Sequence, residues 1–289
     1  AERTLADMDR AAIDYAVIQG EYYQRHETCL PGNTRALALA RRHPDRFLVF
    51  AAVQPTARGA LDEVRRCAAA GARGVGEINP YAQGFMLDAP PFLRLAELCI
   101  ELDLPLLLHT NEPVGRYYPG KTPTPLAAYY ELALRYPELK LILAHWGGGL
   151  LFYELIPSAR QALRNVWYDT AAAPLLYPTD AIFSAALQCI DHRKILFGSD
   201  HPLPLYPRRS RQPGIAAFVE EITNLNLLPN IRDAILGENA ARLFGLAPQD
   251  VPLTDPLPAR TARVLPWIDA DIAPETSVVA IAAAWPATR

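Results

Sequence analysis

The sequence predicts a parallel α/β protein built as a TIM-type (β/α)8 barrel, and three observations carry that expectation. Short apolar runs alternate with amphipathic helical stretches along most of the 289 residues. The runs recur about every 25–35 residues, the length of one βαβ unit. They are apolar throughout rather than alternating, as strands covered on both faces are. Apolar residues make up 51 % of the chain and charged residues 20 %, so a large core is available and global disorder is excluded. A doubly wound sheet is the competing architecture, but no Gly-rich phosphate turn follows the first run.

The elements follow in order. A helical stretch over residues 2–12 opens the chain, and strands are expected at 15–19, 47–53, 74–78, 104–109, 141–145, 166–169 and 195–199. Between them, windows at 35–43, 61–70, 91–103, 125–136, 151–163 and 180–189 carry apolar residues at three- and four-residue spacing, which predicts helices. A polar loop over 200–213 and helices near 215–224, 230–236 and 239–244 complete a domain of residues 1–246. Seven strands are visible where a closed barrel has eight. Because the pattern begins with a helix, the simplest accounting places the first strand upstream of Ala1 and leaves two unpaired edges. Residues 247–267 contain Pro248, Pro252, Pro256, Pro258 and Pro266 and read as a Pro-rich linker. Residues 268–289 read as the start of a small helical module or a disordered tail.

Composition narrows the partners. With 28 basic against 31 acidic residues and a net charge of −3, no basic block marks a nucleic-acid or membrane surface. A small molecule is the expected ligand and a homodimer the expected assembly. Cys29, Cys67, Cys99 and Cys189 lie far apart without a CxxC pair, the pattern of reduced thiols in a cytoplasmic protein.

Barrel chemistry collects at the carboxyl ends of the strands. Polar residues close five of the expected strands: Glu77, His109, His145, Asp169 and Asp200. Burying an unpaired imidazole or carboxylate costs several kcal/mol, and a shared cation satisfies several such groups at once. His109, His145 and Asp200 are therefore the candidate metal ligands. Two imidazoles and a carboxylate suit Zn2+ first, with Mn2+, Fe2+ or Mg2+ as alternatives. A single histidine at a strand end more often bonds a neighbouring loop; the pair with Asp200 is what favours a metal. Glu77 reads either as a substrate contact or as a tie between loops, and Asp169 either joins the rim or caps the next helix. The loop over residues 111–123, NEPVGRYYPGKTP, brings Arg116, Tyr118 and Lys121 to the same rim, where they could hold a substrate carboxylate. Tyr81, Phe85 and Trp146 are expected as apolar pocket walls. Gly147, Gly148 and Gly149 could cradle a phosphate, but a sharp backbone turn is the simpler use. His26, His43, His192 and His201 read as surface or capping groups.

Taken in order, LLLHTNEPVGRYYPGK, LILAHWGGG and ILFGSDHP make the chain resemble the second amidohydrolase-related family of metal-dependent barrels, which includes aminocarboxymuconate-semialdehyde decarboxylase, aromatic-acid decarboxylases and carbon–carbon or ester hydrolases. The likeness runs from about Glu2 to Leu246 and takes in MDRAAIDYAVI and RGVGEINPYAQGF. It implies His109 and Asp200 as ligands, and His145 beside the metal, polarising substrate or orienting a bound water. The family's His-x-His or Glu-x-His pair on the first strand has no match here, which coincides with the strand the barrel lacks. Three functions follow as expectations. The first is hydrolysis of a small carboxylate-bearing molecule by metal-activated water, with Asp200 and His145 as the catalytic pair. The second is non-oxidative decarboxylation of an aromatic or unsaturated acid. The third is an inactive binding barrel. Without the first-strand pair, weak metal binding and little turnover are expected of these 289 residues.

Overall fold

In a computed structural model, residues 2–20, 22–118, 120–202 and 215–246 are described. The expectations for the linker at 247–267, the module at 268–289 and most of the 200–213 loop lie outside them.

All seven strands form: β1 (Ala16–Ile18), β2 (Phe47–Ala51), β3 (Gly74–Ile78), β4 (Leu106–Leu108), β5 (Leu141–Leu143), β6 (Val166–Asp169) and β7 (Ile195–Leu196). Each pairs parallel with the next, giving the order β1-β2-β3-β4-β5-β6-β7, a curled and incompletely closed barrel. Among the described residues no ladder joins β7 to β1. The observed strands stop short of the expected ends at 109, 145 and 199. His145 and Asp200 thus stand beyond the ladder, where their backbone turns into the left-handed region, while His109 directly follows β4 and Glu77 and Asp169 stay within β3 and β6.

Helices connect consecutive strands: His26–Arg42, Ala60–Ala69, Pro90–Glu101, Leu126–Arg135, Pro157–Ala162 and Thr179–Cys189. The stretch expected as one helix at 151–163 divides into a 3-10 turn, Leu150–Leu155, and the short helix Pro157–Ala162. Pro157 explains the break, since it lacks the N–H that a continuous helix would use and fits the first helical turn instead.

The strand faces sort as period-2 geometry requires. Leu48, Phe50, Leu107, Ile142, Ala144, Trp167 and Leu196 fill one side of the sheet, where Leu243, which ends the helix Asn239–Leu243, and Phe244 just after it complete the cluster. Phe244 meets Phe50 edge to face at 5.4 Å. Val75, Leu106, Leu108, Leu141, Leu143, Val166, Tyr168 and Ile195 face the other way and pack under the helices. The four cysteines are buried. Among the described residues no helix is long and apolar enough to cross a membrane.

Candidate metal centre

Three neighbouring strands converge their polar ends. Glu77 of β3, His109 just past β4 and His145 two residues past β5 are all buried, and one ligand atom from each lies within 4.8 Å of the others. It is the one such cluster among the described residues. Glu77 Oε1 accepts from His109 Nδ1 at 2.7 Å, and the two imidazoles meet edge to face at 5.0 Å. Glu77 reaches this position at an irregularity: the β3–β4 register shifts between Val75 and Ile78. Gly76 there has φ +142°, and a Cβ on it would collide with Leu107 of β4.

Each donor is held by the backbone around it. The His109 N–H donates to the Ile78 carbonyl at 2.9 Å, and its own carbonyl accepts from the Tyr129 hydroxyl at 2.7 Å. Its Nε2 faces the Gly120 carbonyl at 3.2 Å, so the loop after β4 folds back over the ring. His145 sits in the left-handed region at φ +57°. Asp169 braces it: Oδ1 accepts from the His145 N–H at 2.9 Å and from the Ala171 N–H at 3.0 Å. His145 Nδ1 lies 2.8 Å from the Ala171 carbonyl, which can only accept, so Nδ1 carries the proton and Nε2 presents a lone pair.

Electrostatics separate the carboxylates. Burial pushes Glu77 upward, but the hydrogen bond and charge of His109 and the charge of His145 outweigh it and hold Glu77 below the usual range. Asp169 goes the other way: burial raises it to about 6, despite His145. Asp200 is also raised, chiefly by burial, in the combined field of His145, Glu77 and His109. His145 lies above the ordinary imidazole value because Glu77, Asp169 and Asp200 overcome the opposing effect of burial. The donor set fits a divalent cation. One carboxylate oxygen and two imidazole nitrogens are a borderline set that suits such an ion, and their ligand atoms already lie within 4.8 Å of one another.

The residues singled out from the sequence divide. His109 and His145 come together, and Glu77, expected as a substrate contact or loop tie, is the third member of the cluster. Asp200 interacts electrostatically with all three but lies outside the 4.8 Å group. Trp146, expected as a pocket wall, is instead 0 % exposed, edge to face with Phe183 at 5.0 Å. The left-handed backbone at His145 and Trp146 accompanies this placement of the indole in the helix-side core. Lys121 and Tyr118, expected to hold substrate, are engaged within their own loop: the Lys121 ammonium lies 3.0 Å from Glu112 and the Tyr118 hydroxyl donates to Glu112 at 2.9 Å. Arg116 is exposed on that loop. Tyr81 is exposed, and Phe85 stacks on Phe92 at 5.2 Å. Asp169 braces a turn rather than capping a helix, and the three glycines form that turn at φ +60°, +60° and +97°. His201, read as a surface or capping group, pairs with Asp7 at 2.9 Å.

Comparison with solved structures gives the 5-carboxyvanillate decarboxylase of Sphingomonas paucimobilis at 19 % identity and TM-score 0.67, covering 85 % of this chain and 82 % of that one. The 2,6-dihydroxybenzoate decarboxylase of Rhizobium matches at 22 % identity and TM-score 0.63, covering 84 % and 87 %. A dihydroxybenzoic acid decarboxylase of a Polaromonas species, solved with bound manganese and the inhibitor 2-nitroresorcinol, matches at 22 % identity and TM-score 0.66, covering 85 % and 86 %. At these identities the likeness is one of fold. Comparison with curated proteins returns no significant match. The family model described as Amidohydrolase (Amidohydro_2) matches residues 1–246, and the chain belongs to that family.

Proposed function

We propose that this chain is a metal-dependent enzyme that decarboxylates a small aromatic or unsaturated carboxylic acid, with Glu77, His109 and His145 holding the cation and Asp200 beside them. The observation that carries the reading is the buried set of one oxygen and two nitrogen donors within 4.8 Å of one another. A bound divalent cation would supply a Lewis-acid charge to the substrate carboxylate or an adjacent oxygen. Manganese, held by the Polaromonas relative, takes precedence over the zinc expected from the donor types.

The chain's own residues supply the rest. Glu77 fixes the His109 ring through Nδ1, and Ala171 fixes the His145 tautomer. Asp200 lies in the field of Glu77, His109 and His145, where its carboxylate would add to the hold on the cation, and it passes a proton from water to the carbon that loses CO2. The carbon–carboxylate bond breaks, its electron pair stays on carbon, and the Asp200 proton replaces CO2 there, so no oxidant or reductant is needed. Lys121 is committed to Glu112, which leaves Arg116 as the cation of this loop for a second anionic group.

The three solved decarboxylases favour this reading over hydrolysis by metal-activated water. The test is turnover of the full chain with Mn2+ on a panel of dihydroxybenzoates, other aromatic acids, esters, amides and lactones, following CO2 release against acid formation. Slow CO2 release from an aromatic acid, lost in His109→Ala, is the expected result. Acid formed from an ester, amide or lactone without CO2 would overturn decarboxylation in favour of hydrolysis.

A further inference from the structure

Asp200 occupies the left-handed region at φ +54°, a conformation that residues with a side chain rarely adopt and that persists only where the surroundings enforce it. Its sequence neighbour is tied to a distant part of the chain. His201 Nε2 bonds Asp7 Oδ2 at 2.9 Å, across a separation of 194 residues. Asp7 is 4 % exposed and also pairs with the Arg10 guanidinium through Oδ1. The link therefore ties the helix that leads into β1 to the residues that leave β7, the two edges that no ladder joins among the described residues.

We infer that Asp7 is a positioning residue: by clamping His201 it holds Asp200 in its left-handed conformation beside Glu77, His109 and His145. The inference rests on the reading of Asp200 given above. Asp7 touches neither the donor cluster nor any reacting atom in that reading and acts only through His201.

The test titrates Mn2+ alone into the metal-free full chain and its variants. Asp7→Ala and His201→Ala each weaken binding about 10-fold or more, the effect of removing a group that orients a metal site. Asp7→Asn keeps an acceptor for His201 and stays within about 3-fold of wild type. In an Asp200→Ala background, Asp7→Ala and His201→Ala change affinity less than about 2-fold, because there is no carboxylate left to position. The same loss with and without Asp200, or full affinity in a folded His201→Ala chain, overturns the inference. His201→Ala removes the link from the less buried end, so the test stands if Asp7→Ala fails to fold. Amide hydrogen exchange at Asp200 and His201 in the metal-free chain gives a second readout, accelerated about 10-fold in His201→Ala if the clamp exists. A wild-type chain that takes up no Mn2+ refutes the cation reading, and the clamp is then decided by exchange: unchanged rates overturn it, faster rates support it.

Discussion

Asp169→Asn isolates the carboxylate that braces His145. Asparagine keeps an oxygen for the His145 and Ala171 N–H groups, now 2.9 and 3.0 Å from Asp169 Oδ1, but removes the titration. An aspartate ordinarily ionises near 3.8, and burial lifts this one to about 6. Between those values the folded chain binds more protons than the unfolded chain, so stability falls as pH rises through that window. At ~1.36 kcal/mol per pH unit, the gap corresponds to up to about 3 kcal/mol, fully lost above the folded value. Urea unfolding of both metal-free proteins from pH 4 to pH 8 reads this as a difference. Relative to wild type, Asp169→Asn gains stability from pH 4 to about 7, by up to about 3 kcal/mol, and the difference is flat above that. A constant difference, or one that runs the other way, refutes the assignment of a raised pKa to Asp169. Asp169→Ala differs in kind. It orphans both recessed N–H groups, which at about 1–3 kcal/mol each costs about 2–6 kcal/mol by urea unfolding.

Further expectations concern the turn, the core and metal uptake. Gly148→Ala places a methyl group against the Asn111 carbonyl at φ +60°, so it destabilises by about 2–4 kcal/mol in chemical denaturation, combining left-handed strain with overpacking. Trp146→Ala lowers stability by about 3–5 kcal/mol as a core deletion. Trp146→Phe, which retains most of the packing, leaves the KM for the best substrate within about 2-fold, because the indole stands in the core; a large KM change with unaltered stability would return it to the pocket wall. Mn2+ affinity rises from pH 6 to pH 8, since His145 must shed a proton that its carboxylate neighbours hold above the ordinary imidazole value. Titrations at the two pH values check the direction.

Much of the fold was legible because the strand signal is local. Seven apolar runs at regular spacing require only that both faces be covered, and each run contains an observed strand. The histidines were legible for a related reason: a polar residue ending an apolar strand points to the rim. Glu77 was harder to place. Its direction depends on the register irregularity between Val75 and Ile78, which the one-letter pattern GVGEI does not encode. Trp146 was misplaced because side-chain direction after a strand follows backbone φ, and consecutive left-handed residues at His145 and Trp146 reverse the simple alternation. Lys121 and Tyr118 were assigned to a substrate when Glu112, on the same loop, was within reach of both. The link from Asp7 to His201 could not be read at all, since nothing local connects positions 194 residues apart.

The enzyme's chemistry turns on whether Glu77, His109 and His145 together hold one divalent ion. Titrating Mn2+ into the metal-free chain, with free ion followed by its paramagnetic resonance signal, measures this directly. A single saturable site per chain, weakened at least about 10-fold by each of Glu77→Gln, His109→Ala and His145→Ala, is the predicted result. A wild-type chain with no saturable site, or folded variants that bind Mn2+ as tightly as it does, would contradict it.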